Sequence, residues 1–273
     1  MTARLDADRI RQPINETSRA RLELLEVFAE IGSTNSYLLD EPPPPPGHFR
    51  VALAEHQTEG RGRMERRWVS PESTGLCLSL AYTFTRAPAH LPGVTLAVGT
   101  AVAAAFEELG IPGVGLKWPN DLILRDGKLG GILTETRSAP NNVTTVVVGV
   151  GVNVDFSAGR STEPVASRIG YASDLSMATK RLPSRNTISA KLIESIFNAL
   201  ATYESEGLDA FTRSWERFDW LRGQRVSVET PATCVEGVAE GIDEMGSLII
   251  RTAEGRRNVN AGTVSLAGQR ALH

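Results

Sequence analysis

Gly75–Phe84 reads GLCLSLAYTF, with Leu76, Leu78, Leu80, Tyr82 and Phe84 on one face at period two and smaller residues opposite. That alternation is the mark of a β-strand laid on a core. Upstream, FRVALAEHQT (Phe49–Thr58) reads as a second strand. LEVFAEIG contributes a third, through the alternation of Val27, Ala29 and Ile31. A short helix is expected around Ser18–Leu25. In GSTNSYLLD, Ser33, Thr34 or Asn35 offers an N-cap for another. Downstream, an alanine-rich helix is expected over about Leu91–Leu109. Three strand-like runs follow it: GVGLKW, DLILRDGKLGGILTET with a turn at Asp126-Gly127, and VTTVVVGVGVNV. A long amphipathic helix covers about Ile188–Tyr203. Strands clustered together with helices scattered among them predict an α+β fold with a mixed or antiparallel sheet and flanking helices.

The chain has 273 residues, 41% hydrophobic and 22% charged, with a formal net charge of −3. The length suits one large domain with a small appendage, and the acidic balance speaks against an extended nucleic-acid surface. Only two cysteines, Cys77 and Cys234, are present. They form no CxxC pair, which fits a reducing cytoplasm rather than a disulfide framework or a zinc site. The N-terminus lacks the apolar core of a signal peptide. Ala87–Phe106 carries no charge, but its prolines, glycines and alanines suit a buried helix better than a membrane span. Residues 1–17 are expected to be a polar, mobile lead-in. Pro42–Pro46 reads as a stiff connector rather than a docking ligand. Beyond Leu221 the texture shifts to short strands between glycine turns, as in a small β-barrel of about fifty residues. The expected organisation is therefore 1–17 lead-in, 18–220 catalytic domain and 221–273 C-terminal domain.

Charge gathers where loops leave the sheet. GRGRMERRW (Gly60–Trp68) holds four arginines and two glycines in nine residues. It is either a solvated run or a loop whose glycines let backbone approach an anion. Lys117 and Lys128 lie in KWPND and GKLGG. Familiar alternatives are missing from the sequence. There is no GxxxxGK[ST], GVGVNV lacks the third glycine of a dinucleotide fingerprint, and no GxSxG elbow is present. His48, His56, His90 and His273 lack metal-ligand spacing. Cations clustered at strand ends suit a reaction between two anions. A carboxylate approaching a phosphate to about 4 Å meets roughly 4 kcal/mol of repulsion at an effective dielectric near 20. Fixed positive charge, rather than a protein nucleophile, then carries the catalysis.

The set GSTN, EHQTEGRGRMERRW, KWPND, GKLGGIL and GVGVNV, in this order, resembles the biotin–protein ligases. The likeness runs from about Leu25 to Asp155, and the C-terminal segment resembles that family's SH3-like domain. The resemblance implies the biotin/lipoate ligase catalytic fold, similar to class II synthetases. It implies an ATP- and Mg2+-dependent enzyme that makes biotinyl-5′-AMP and passes biotin to a lysine of a biotin carboxyl carrier protein domain of an acyl-CoA carboxylase. By the same resemblance, Ser33, Thr34, Asn35, Gln57, Arg61, Gly62, Arg63 and Lys128 hold biotin. Arg66, Trp68, Lys117, Asn120, Asp121 and Asn153 face ATP and Mg2+, with no metal site built from protein alone. Lys128, Arg63 and Lys117 act in catalysis. Arg67 is read as a surface residue, and Asp121 as either a metal-side group or a turn residue.

Two departures accompany the resemblance. Glu65 stands where the family often has glycine. Only about twenty residues precede the first core strand, which implies a monofunctional ligase without the DNA-binding domain. Neither a nucleic acid nor a membrane is an expected partner, and a homodimer stays open. The competing readings are a lipoate or octanoate ligase or transferase of the same fold, and a non-catalytic binding module.

Overall fold

The computed structural model describes residues 4–69, 72–88, 90–139, 143–158, 172–230 and 233–267. His273 and both extreme ends of the expected domain bounds lie outside them. The strand read first, β3 (Gly75–Thr83), is buried along its whole length. It belongs to a seven-stranded sheet with β1 (Leu22–Ile31), β2 (Phe49–Gln57), β4 (Val114–Lys117), β5 (Asp121–Leu124), β6 (Gly127–Ala139) and β7 (Val143–Asn153). The order is β1-β2-β3-β7-β6-β5-β4. β1 runs parallel to β2 and every other neighbouring pair is antiparallel, so the sheet is mixed as expected.

Alternation divides the sheet into two unlike faces. Leu76, Leu78 and Leu80 of β3, with Val148, Val150 and Val152 of β7, join the main core. That core is closed by α4 (Val94–Glu108), α5 (Arg185–Glu206) and α6 (Asp209–Phe218). The opposite face carries small residues, and α3 (Thr34–Asp40) packs on it through Leu38 against Ala52, Ala81 and Val147. Space for a ligand exists on that thinner side.

Several expectations need correction. The segment from Ser18 to Leu25 is not a helix. α2 (Glu16–Arg19) ends early, and Leu22 and Leu25 pair with Phe49 and Val51 of β2. Parallel pairing overrides the local pattern here. The two-residue turn before β6 is Arg125-Asp126, with φ of 48° and 63°, one position earlier than read. Gly127 already pairs with Leu124. From Arg4 onward the polar lead-in also carries buried apolar side chains: α1 (Ala7–Arg11) is capped by Asp6, and Leu5, Ile10 and Ile14 are buried. The Leu5 N–H donates to Glu55 at 2.6 Å, and Glu55 is paired with the buried Arg185 at 2.6 Å. The long helix exceeds its expected bounds because Ser184 caps it, accepting from the Thr187 N–H. α6 was not anticipated, since its apolar stripe reduces to Phe211, Trp215 and Phe218 among charged residues.

Beyond Leu221, β8 (Arg225–Glu229), β9 (Cys234–Ile242), β10 (Leu248–Thr252), β11 (Gly255–Val259) and β12 (Thr263–Leu266) form a separate antiparallel sheet. Its order is β11-β10-β9-β8-β12. No helix among the described residues is long and apolar enough to cross a membrane.

Candidate active site

The small residues of β3 form the floor of the site. Ser79 lies on the face opposite Leu78 and Leu80, and its hydroxyl shares a 2.7 Å hydrogen bond with the Thr34 hydroxyl. Ser79 also donates to Asn35 Oδ1 at 2.6 Å. Gln57 Oε1, at the end of β2, accepts from the Thr34 N–H at 2.8 Å and lies 3.0 Å from its hydroxyl. Asn35 Nδ2 donates to Glu135 Oε2 at 2.9 Å. Thr34 and Asn35 can sit this deep because Ser33 caps α3, its hydroxyl accepting from the Ser36 N–H. A buried chain of neutral donors and acceptors thus runs from Gln57 to Asn35. Satisfied networks of this kind hold their members rigidly.

The chain continues into charge. Glu135 Oε1 accepts from Arg61 at 2.7 Å, and Arg61 also reaches the Ser36 hydroxyl at 3.2 Å. The arginine-rich loop therefore folds back toward the neutral chain and borders a cleft of about 960 Å³. Within the loop the Gly62 N–H donates to the Arg66 carbonyl at 2.7 Å, and the Trp68 N–H to the Gly60 carbonyl at 2.8 Å. Met64 and Glu65 adopt left-handed φ of 55° and 58°. A non-glycine residue sits there at a cost of about 1 kcal/mol. Glu65 therefore adds backbone strain to the loop that a glycine would not.

Lys117, Asn120, Asp121 and Lys128 meet at the β4–β5–β6 corner. Lys128 Nζ lies 2.6 Å from Asp121 Oδ1. Strict alternation along β6 would set Lys128 on the face opposite Gly131, Leu133 and Glu135. A register shift between Leu122 and Ile123 breaks the alternation and turns Lys128 toward Asp121, while Leu129 enters the core. Such bulges re-aim side chains. Arg63 Nη1 donates to Asn120 Oδ1 at 3.2 Å, which ties the loop to this corner. Burial pulls the Arg63 guanidinium below its ordinary value, opposed by the nearby Asp121 carboxylate. Lys117 is buried at the end of β4.

Trp68 and Asn153 serve the far side of the corner. A Cβ on Gly151 would lie 2.6 Å from Trp68 Cε2, so the indole rests directly on this glycine. Asn153 Nδ2 donates to the carbonyls of Ser173 at 3.0 Å and Lys128 at 3.3 Å, bracing the backbone behind Lys128. Arg66 is less central: it is exposed, and it donates to Thr263 of β12 at 3.2 Å. Arg67, read as a surface residue, is exposed and donates to the Thr58 carbonyl at 2.7 Å. Sequence reasoning missed Ser79, Glu135 and Gly149. The first two were legible only as the small or polar alternates of β3 and β6. Gly149 gives room to the Asn35 carboxamide, which lies where a Cβ would fall.

The chain is similar to known proteins over most of its length. The model of the biotin/lipoate A/B protein ligase family matches residues 27–153, and that of the biotin protein ligase C-terminal domain matches residues 222–267. A biotin–[acetyl-CoA-carboxylase] ligase of Mycobacterium tuberculosis is 34% identical over 273 residues, covering 95% of this chain and 98% of that protein. The bifunctional ligase/repressor BirA of Salmonella typhimurium is 34% identical over 249 residues, covering 90% of this chain and 73% of the relative. The structure of a biotin protein ligase from Aquifex aeolicus in complex with biotin and ATP superposes with a TM-score of 0.72 at 27% identity. It covers 89% of this chain and 98% of that one.

Proposed function

Because this chain belongs to the biotin protein ligases, an enzyme family, we propose that it joins biotin to ATP as biotinyl-5′-AMP. It then transfers the biotinyl group to a lysine of a biotin carboxyl carrier protein domain of an acyl-CoA carboxylase. In the first step a biotin carboxylate oxygen attacks the α-phosphorus and pyrophosphate leaves with the electrons of the broken P–O bond. In the second, the carrier amine attacks the acyl carbon, AMP leaves and the amine gives up a proton. The reading assigns residues 18–220 to the catalytic domain and 221–273 to the C-terminal domain.

One observation carries it: a buried neutral hydrogen-bonding chain, Gln57–Thr34–Ser79–Asn35, passes through Glu135 into the arginine-rich loop. Neutral donors and acceptors suit the ureido ring, which is polar but uncharged. Ser33, Thr34, Asn35, Gln57, Arg61 and Gly62 are assigned to biotin. Arg63 and Lys128 are assigned to the reacting carboxylate and α-phosphate. Lys117 and Asn120 are assigned to the phosphates, and Trp68, Arg66 and Asn153 to the nucleotide side.

The donor set also fits Mg2+. Asp121 and the Asn120 amide supply hard oxygens at one corner. Among the described residues no three acidic, histidine or cysteine groups gather into a metal cluster. Such a set suits an ion that arrives with phosphates and takes only one or two protein ligands. Bound there, Mg2+ would neutralise charge on the phosphates. The deciding experiment is pyrophosphate release with ATP and biotin, followed by mass analysis of the carrier domain. Release with biotin and addition of one biotinyl group are expected. Equal turnover with lipoate or octanoate would overturn the biotin assignment.

A further inference from the structure

Besides the Arg66–Thr263 contact of β12, a turn of the C-terminal sheet reaches the catalytic corner. Between β9 and β10, Asp243–Ser247 is organised by Asp243. Its Oδ1 accepts from the Met245 N–H at 2.9 Å and the Ser247 N–H at 2.8 Å, and its Oδ2 accepts from Asn258 at 2.8 Å. Gly246, at the tip, has a φ of 79°. A Cβ there would lie 2.7 Å from Leu96 Cδ1 and 3.2 Å from Leu208 Cδ2. Both leucines are buried. Glycine is required twice over, by conformation and by the narrowness of the socket.

Inside that socket the Gly246 carbonyl accepts a hydrogen bond from Trp118 Nε1 at 2.9 Å, fully buried. Trp118 stands between Lys117 and Pro119-Asn120. Two residues earlier, the Leu116 carbonyl accepts from the Trp220 N–H at 2.9 Å, just before the C-terminal sheet begins. The segment Leu116–Asn120 is therefore held on one side by Arg63 and Ile132, through Asn120. From the other side it is held by the chain entering the second sheet and by the tip of that sheet's turn.

We propose that the Asp243–Ser247 turn is a positioning element for adenylation: its Gly246 carbonyl fixes Trp118 and so aims Lys117 and Asn120 at the nucleotide. The inference rests on the assignment of Lys117 and Asn120 to ATP given above. It gives the C-terminal sheet a part in the first half-reaction through named atoms. The ureido ring is assigned to residues of β2, α3 and β3, away from the turn, so biotin affinity should depend on the turn far less than ATP use does.

The test uses the full chain with three substitutions. Trp118→Phe keeps an aromatic ring and removes the donor, Gly246→Ala wedges the tip out of its socket, and Met245→Ala changes an exposed neighbour in the same turn. Steady-state pyrophosphate release gives KM for ATP, calorimetry gives Kd for biotin, and melting gives stability. The expected result is a rise of about tenfold in KM for ATP in Trp118→Phe and Gly246→Ala. Biotin Kd should stay within twofold, and Met245→Ala should match wild type. The double variant should be no worse than the worse single one, because both act on one bond. A Trp118→Phe enzyme whose KM for ATP is within twofold of wild type, whatever its melting temperature, overturns the proposal alone. A wild-type chain that releases no pyrophosphate with biotin overturns the ligase assignment and this inference with it.

Discussion

The Asn35 carboxamide oxygen occupies the space that a side chain on Gly149 would need, across the thin face of the sheet. Asn35 is held there by Ser79 and Glu135, so it has little freedom to withdraw. Gly149→Ala should therefore push Asn35 out of the neutral chain. Over-packing or a lost buried hydrogen bond costs about 1–3 kcal/mol, which corresponds to about a tenfold to hundredfold weaker biotin Kd. Calorimetry with biotin checks this, and an unchanged Kd would remove Asn35 from the biotin site.

Lys128→Gln should impair chemistry more than binding. The lysine is aimed by the β-bulge and paired with Asp121 at 2.6 Å. Its positive charge counts most as carboxylate and phosphate approach, so its loss falls on the transition state. Single-turnover adenylation should slow by about a hundredfold or more, with biotin Kd changed far less. A main loss in biotin affinity, with adenylation preserved, would make Lys128 a binding residue.

The strand pattern was legible where one face of the sheet meets the main core. GLCLSLAYTF announced β3 because Leu76, Leu78 and Leu80 repeat at period two. The same period hid Ser79, since a serine on a small-residue face looks like filler until Thr34 and Asn35 are folded against it. Lys128 was found through its motif alone. Its orientation depends on a register shift opposite Leu122 and Ile123, which no local pattern signals. Leu22–Leu25 looked helical because its partner, Phe49–Val51, lies across a parallel crossover. Likewise, the role of Gly246 depends on Leu96, Leu208 and Trp118, all distant in sequence.

Asp219, which precedes the C-terminal sheet, carries a pH signature. Burial pushes its carboxyl from 3.8 up to about 6, although the Leu221 and Arg222 N–H groups favour the charged form. The folded chain therefore holds this proton more tightly than the unfolded chain. The stability it confers is present in full below about pH 4 and is lost as pH rises through about 6. A shift of this size is worth about 2–3 kcal/mol. Asp219→Asn cannot titrate, so the unfolding free energy of wild type relative to Asp219→Asn should fall by that order between pH 4 and pH 7. Denaturant unfolding at several pH values measures it. Parallel wild-type and variant profiles would show that Asp219 is not the titrating group.

Arg63 ties the arginine-rich loop to Asn120 across the mouth of the site. Biotinyl-AMP is a mixed anhydride that water or any exposed amine can attack, so a ligase must retain it until the carrier arrives. A charge-assisted contact from Arg63 to its phosphate contributes about 1.5–3 kcal/mol, or about a tenfold to hundredfold change in retention. Arg63→Gly removes that contact and the link to Asn120. It also adds backbone freedom beside Met64 and Glu65, which already hold left-handed conformations. The Arg61–Glu135 and Gly62–Arg66 bonds remain to hold the base of the loop, so the adenylate should still form. It should escape faster and label bystander lysines. Wild type and variant are incubated with biotin, ATP and serum albumin, and albumin is blotted for biotin. Strong labelling is expected only from the variant. Equal labelling by both, with equally slow adenylate release, would show that Arg63 does not retain the intermediate.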